Sequence, residues 1–423
     1  MIDFSYDQEN HDPSAIKIKV LGIGGAGGNT VNSMVESELQ DVEFIVANTD
    51  CQALKHSKAK HKIQLGSKTT KGLGSGANPD MGRRATEEDI DDVLDLLKDA
   101  DIVFIVAGMG GGTGSGGSPV IARALKERGV LTIAVVTKPF TFEGRRRMMI
   151  AEEALAELKK EVDTLIIVPN QKLLDVVDRS ISMIQAFSMI NHLIIHSVKS
   201  ISDIIVKPGH INVDFADLRA IMKGMGLAIM GTGTASGENR AKEAAKQAIS
   251  SSLLENMDIK RARGVLLNIT GGPDLSLHEI NDAANVIYDE SDKNAHIILG
   301  SVIDENLRGE VIVSVVATGF SEGDELLVSD QPVVAARQVQ NRPINVAVVE
   351  REVEPVLQKI DLYEGEKSSA PLLRAEKNDK RDIDALDVPA FLRNKKAEVQ
   401  EAAEKTVNNL RQEQGNRHDS TGA

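Results

Sequence analysis

Three residues of the stretch Gly209-His-Ile-Asn-Val-Asp-Phe-Ala-Asp217 carry the side chains best suited to chemistry: Asn212, Asp214 and Asp217, in the pattern N-x-D-x-x-D. Two carboxylates and an amide in a turn that enters a helix can orient a water molecule or bind a cation. The same residue types are also ordinary helix caps, and spacing alone favours that plainer reading. A second kind of chemistry belongs to the backbone. The stretch 107–117, AGMGGGTGSGG, holds seven glycines directly behind the apolar run Asp101-Ile-Val-Phe-Ile-Val106. Glycine reaches the dihedrals that turn successive N–H groups inward as an anion-binding nest, and Thr113 and Ser115 add hydroxyl donors. A third candidate, Gly22-Ile-Gly-Gly-Ala-Gly27, is a G-x-G-x-x-G that ends a strand and opens a helix, where a phosphate can approach free N–H groups. With Asp50 at the end of the next strand, a dinucleotide reading is open, and with it an NAD-dependent oxidoreductase. No G-x-x-x-x-G-K-[ST] string occurs, so phosphates must be held mainly by backbone. Residues 69–79, TTKGLGSGANP, supply a further loop of small residues that can close over a terminal phosphate or serve as a surface turn.

The elements that position these residues follow from the apolar pattern. From residue 15, short apolar runs (IKIKVLGIG, VEFIVANTD, DIVFIVAG, VLTIAVVT, TLIIVPN) alternate with helical patterns, which predicts a doubly wound α/β domain on a parallel sheet over 15–172. Two glycine-rich turns then lie at the carboxyl edge of one sheet, where such folds bind ligands. Over 173–206, apolar residues from Val177 to Ile205 recur every three or four positions, predicting one long central helix stopped by Pro208 and Gly209. Four further strands and two helices over 207–320 read as a smaller α+β domain carrying the N-x-D-x-x-D loop. The first 14 residues read as a flexible start and 321–381 as a flexible, disordered linker. An apolar island, DIDALDVPAFLRNKK, occupies 382–396, and a polar extension occupies 397–423.

Composition narrows the function. The net charge of −14 argues against general binding to nucleic acid, while a small polyanion can still be held by local backbone donors. No apolar run is long enough to span a membrane, so direct membrane insertion is not expected. The single cysteine, Cys51, excludes an intrachain disulfide, and the acidic start MIDFSYDQENHDPS is unlike a signal peptide, so a cytoplasmic setting is expected.

Taken together, GIGGAGGNTVN (22–32), ANTDCQAL (47–54), GLGSGANP (72–79), GGGTGSG (110–116), PFTFEGRRR (139–147) and INVDFADL (211–218) resemble the FtsZ family of bacterial cell-division GTPases, within the tubulin superfamily. The resemblance runs over about residues 16–320 and resumes at DVPAFLR. It implies GTP as substrate with Mg²⁺, hydrolysis to GDP and phosphate, and head-to-tail filaments that form a ring at the division septum. It implies that Asp214 and Asp217 polarise the attacking water in a neighbouring subunit's site, with Asn212 helping to position it. Phosphate contacts are implied for Gly24, Gly25, Ala26, Gly27, Gly28 and Asn29 on the first turn. On the second they fall to Gly110, Gly111, Gly112, Thr113, Gly114, Ser115 and Gly116. Gly74, Ala77 and Asn78 belong to the loop between them. Pro139 is implied to touch the nucleotide, Glu143 and Arg147 to contact the sugar and nearby groups, Phe187 to stack on the base, and Asn29, Asn191 and His192 to read its edge. The family usually has Asn-Asp where this chain has Asn191-His192. Neutral imidazole offers one acceptor where a carboxylate offers several, so GTP binding with reduced discrimination is expected. The island at 382–396, with Asp387, Pro389, Phe391 and Leu392, resembles the family's partner-docking peptide, which implies membrane-tethering and regulatory partners.

Overall fold

In the computed structural model, six strands lie parallel in the order β3-β2-β1-β4-β5-β6: β1 Ile18–Ile23, β2 Val42–Asn48, β3 His61–Gln64, β4 Ile102–Gly108, β5 Leu131–Lys138 and β6 Thr164–Pro169. The described residues are 16–37, 39, 41–178, 180–207, 211, 213–250 and 259–320, with no side-chain description at 175 and 176. All six residues of β1 are buried, and alternate positions face opposite layers, as the two-residue repeat of a strand requires. Val20, Phe104, Val135 and Ile166 share one apolar cluster; Leu21, Ile105, Ala134 and Leu165 share another. Helices cover both faces. On the second face lie α3 Pro79–Glu88, α4 Ile90–Leu97, α5 Thr113–Glu127 and α6 Arg145–Glu161, each giving buried residues to that cluster. α1 Gly24–Glu36 contributes Val31 and Met34 to the first face, and α2 Cys51–His56 and α7 Asn170–Val176 complete the crossovers. The doubly wound parallel domain expected from the alternating runs is therefore present.

The sheet does not stop at β6. β7 Gly226–Ser236 pairs parallel with it from Thr164↔Gly226 to Ile166↔Ala228. β10 Glu310–Thr318 then runs antiparallel between β7 and β8 Gly264–Gly271, and β9 His296–Ile303 closes the far edge parallel to β8. The result is one ten-stranded mixed sheet. α10 Arg240–Ile249 and α11 Leu277–Glu290 bury an alanine-rich stripe against it, with Ala241, Ala244, Ala245, Ala248, Ala283 and Ala284 in one cluster with Val265, Leu267 and Val313.

The long helix begins later than its apolar spacing predicts. α8 runs Met183–Val206, and a gap separates it from α7. Ser182 is extended, accepts from the Gln185 N–H, and receives the Gln185 side chain on its own N–H: a capping box that fixes the helix start at Met183. Val177 is extended, with ψ 151°, so the segment expected as helix from 173 is broken there. From Ile194 onward α8 is buried on several sides, and Ile190, Ile194, Val198, Ile201 and Ile204 lie in the same cluster as strands from both halves of the sheet. Its last turn leads towards α9 Phe215–Met222. The expected linker, docking island and extension, all beyond residue 320, lie outside the described residues, as does Asn212.

Candidate nucleotide site

Two helix starts converge at the carboxyl edge of the parallel strands. α1 and α5 follow β1 and β4, which are paired neighbours, and neither helix has a side-chain cap. The N–H groups of Gly24, Gly25 and Ala26, and of Thr113, Gly114 and Ser115, therefore lack intrahelical acceptors. Gly24 takes φ 73°, a left-handed value, and a Cβ built there would lie 3.1 Å from the Gly114 nitrogen, so the two sets of donors sit side by side. Gly25 and Gly111 have open space around their Cα positions. Both helix dipoles add positive potential at this mouth. An anion meeting it finds fixed donors without the reorganisation that water would require.

The surrounding loops lock this edge. Thr113 Oγ1 lies 2.6 Å from Thr49 Oγ1 and 3.0 Å from Ser75 Oγ, a hydroxyl chain joining the end of β2, the 72–78 loop and α5. Gly74 N–H donates to the Thr49 carbonyl, and Asn78 caps α3 by accepting from Asp80 N–H. Gly74 is half-buried and Ala77 exposed, so this loop rims the mouth. On the far rim the Phe140 N–H donates to Glu143, whose other oxygen pairs with Arg147 at 2.5 Å. The Arg147 carbonyl packs beside Gly110, and buried Pro139 does so as well. Phe187, on the second turn of α8, meets Phe140 edge-on at 5.7 Å. Asn191 follows one turn later, with its Oδ1 3.0 Å from the Thr30 hydroxyl of α1; Asn29 and His192 are exposed.

Three residues that the sequence does not single out belong to this edge. Thr49 and Ser75 hold Thr113, and only their loop strings hinted at it. Asn170, directly after β6, is buried with an Oδ1 that takes no partner among the described residues. At three other expected phosphate contacts the backbone donor is engaged within the chain. The N–H of Gly116 is spent on the Gly112 carbonyl, and a side chain at Gly116 would collide with Pro79, so Gly116 packs α5 against α3. The Gly110 N–H is spent on the Ser115 hydroxyl at 2.9 Å. Gly28 is likewise inside α1, past the helix's free donors. Asp50 caps α2, accepting from the Gln52 and Ala53 N–H groups, so the carboxylate expected to read a dinucleotide ribose is already engaged.

The carboxylates of the N-x-D-x-x-D loop lie elsewhere. Asp214 and Asp217 are exposed at the start of α9, where Asp214 accepts from Asp217 N–H at 2.8 Å. α9 docks at the opposite edge of the parallel strands. Arg219 donates to the carbonyl of Gly129, just before β5, and Thr164, at the first position of β6, donates to the carbonyl of Met222. The glycine turn touches β5 at its other end, where Met109 N–H donates to the Thr137 carbonyl. Eight strand residues at about 3.3 Å each separate the two ends by roughly 26 Å. Within one chain, then, these carboxylates do not meet the donors at the glycine mouth. Among the described residues no group of three or more His, Cys, Asp or Glu side chains is placed to hold a metal ion.

Comparison with known proteins agrees with this geometry. Residues 17–178 match the Tubulin/FtsZ family GTPase domain, and residues 226–321 match the FtsZ family C-terminal domain. The chain is 46% identical over 391 residues to the cell division protein FtsZ of Pseudomonas putida, covering 90% of this chain and 97% of that protein. It is 47% identical over 382 residues to the corresponding protein of Pseudomonas aeruginosa, covering 89% and 96%. Among solved structures, an empty FtsZ dimer from M. jannaschii is similar with a TM-score of 0.70 and 42% identity, over 73% of this chain and 89% of that one. A protofilament of CetZ2 from Haloferax volcanii shares the fold, with a TM-score of 0.62 and 23% identity over 73% and 94%. None of these matches supports an NAD-dependent oxidoreductase.

Proposed function

The chain belongs to the FtsZ family of cell-division GTPases, and we propose that its hydrolytic centre is completed only where two copies stack head to tail. It binds and hydrolyses GTP and assembles into filaments, as the family does. The carrying observation is the separation within one chain: free N–H donors at one edge of the sheet, exposed Asp214 and Asp217 at the other. A head-to-tail contact repeats without closing, so it both joins these halves and generates an open filament.

In this reading the triphosphate lies across Gly24, Gly25 and Ala26 of α1 and Gly111 to Ser115 of α5. Those N–H groups stabilise charge that builds on the phosphate oxygens as the terminal bond breaks. Gly74, Ala77 and Asn78 close over its end. Glu143, Arg147 and the unpartnered amide oxygen of Asn170 serve the sugar, and Phe187 stacks on the base with Asn29, Asn191 and His192 at its edge. Asp214 and Asp217 of the adjacent copy, with Asn212, hold a water in line with the γ-phosphate and accept its proton. Mg²⁺ enters as the companion of the triphosphate, since the described residues offer no carboxylate cluster to hold it; its chemistry is to neutralise phosphate charge. The tail island at 382–396 docks partner proteins that tether filaments to the membrane at the cytoplasmic side of the division site.

Phosphate release measured against protein concentration tests the shared centre. Specific activity is expected to rise steeply above a threshold concentration and to plateau once filaments form. Activity per molecule that stays constant from the lowest concentration upward would overturn it.

A further inference from the structure

We infer that Ser301, on β9, is a positioning residue for the reaction: it clasps Ile211 and so sets where the N-x-D-x-x-D carboxylates stand. The inference rests on the reading above, in which Asp214 and Asp217 serve a neighbouring copy's nucleotide. Nothing in the sequence pairs the two segments, since ninety residues separate Ile211 from Ser301. The fold brings them together.

β9 is the far edge of the sheet, with β8 paired to one side of it and no described strand on the other. A single residue takes that outer place: Ile211 forms an isolated antiparallel bridge with Ser301. The Ser301 N–H donates to the Ile211 carbonyl at 3.1 Å, and the Ile211 N–H donates to Ser301 Oγ at 3.2 Å. One buried serine thus satisfies both backbone groups of the residue that precedes Asn212. The residue that follows Asn212 is held as well. Val213 is 5% exposed and meets Ile204 of α8 over Gly300, the neighbour of Ser301. A Cβ at Gly300 would lie 2.3 Å from the Ile204 side chain and 3.3 Å from Val213 Cγ2, so a glycine there lets helix and loop close together on the strand. Asp214 comes next and caps α9, whose Arg219 and Met222 are tied to Gly129 and Thr164. The carboxylates are exposed, yet the chain on each side of them is fixed. A reacting group misplaced by about 1 Å can lose on the order of a hundredfold in rate, so this clasp bears on turnover.

The test is the plateau rate of phosphate release by assembled full-length chain, with GTP affinity measured below the assembly threshold. Ser301→Ala keeps the backbone bond and removes the side-chain acceptor. It should lower the plateau rate about tenfold, still pellet as filaments and leave GTP affinity within about twofold, because the glycine mouth is at the other edge of the sheet. Ser301→Thr keeps the hydroxyl and should restore the rate. Ser301→Cys, with a weak acceptor, should behave like the alanine variant and replaces it if that chain does not fold. Ser314→Ala makes the same change at a buried serine of β10 whose hydroxyl meets Ser200 rather than the loop. It should keep the parent rate however far its melting temperature falls. In the Asp214→Asn background, Ser301→Ala should cost less than about threefold, because the group it positions is already gone. A full loss in that background, or a parent rate in Ser301→Ala beside slow Asp214→Asn and Asp217→Asn chains, overturns the inference alone. If both carboxylate variants turn over at the parent rate, the shared centre falls and the inference with it.

Discussion

Asp214 holds two assignments that the sequence could not separate. Its spacing to Asp217 fits a cap, and it is one: it accepts the Asp217 N–H at 2.8 Å. It is also exposed, so the same carboxylate is free to act on a neighbour's water. The two roles come apart by substitution. Asn caps as well as Asp, so Asp214→Asn should leave thermal stability unchanged while slowing turnover by about a hundredfold or more. Asp214→Ala should slow it similarly and in addition cost about 1 kcal/mol, seen as a lower melting temperature. Asp217→Asn should bind GTP normally and turn over slowly; loss of binding would mean that the residue belongs to the chain's own cradle. The glycine string 110–116 was legible in a different way. Its position after a buried strand announced a phosphate turn. Which glycines serve ligands and which serve packing was not legible, because that depends on α3, a partner distant in sequence whose approach excludes a side chain at Gly116.

At the level of elements, the strands were readable because a buried parallel strand is apolar throughout, and no other element of six or seven residues is. The start of α8 was misread for a physical reason. Val177 and Ile181 continue the spacing of the helix face even though Val177 is extended and the Ile181 N–H closes a turn on the Asp178 carbonyl, so periodicity ran on through a break ahead of the Ser182–Gln185 box. Ser182→Ala should cost about 1 kcal/mol by urea denaturation and, because Phe187 sits on the next turn, should also weaken GTP binding. α11 allows a pH prediction. Arg240 donates to Glu279 at 2.6 Å, and with Ser276 it pulls the Glu279 carboxyl from 4.5 down to about 2. A carboxyl depressed in the fold binds fewer protons there than in the unfolded chain. Its stabilisation is complete above pH 4.5 and is lost as pH falls towards 2. Glu279→Gln keeps the capping box with Ser276 but not the charge, so its urea midpoint should lie below that of the parent at neutral pH and converge on it across that window.

For the molecule as a whole, the continuous sheet sets the separation on which function depends. β7 extends the parallel half, α8 is about 36 Å long over its 24 residues, and the glycine mouth and α9 lie at opposite ends of the parallel strands. A hinge that brought the carboxylates to the cradle of their own chain would have to undo the β6–β7 pairing and the α8 core. Stacking a second copy requires neither. The arrangement therefore predicts complementation between two inactive chains. Gly111 has open space around it, so Gly111→Glu should fold while placing a carboxylate against the phosphates and blocking nucleotide binding. Asp217→Asn keeps its cradle but lends no full set of carboxylates. Each alone should hydrolyse GTP slowly. In a mixture, wherever an intact cradle of the Asp217→Asn chain meets the intact loop of a Gly111→Glu chain, a complete centre is assembled. Phosphate release should rise above the sum of the separate chains and pass through a maximum as their ratio is varied. A strictly additive mixture, with both chains shown by pelleting to enter the same filaments, would place the reacting groups within one copy and rule the shared centre out.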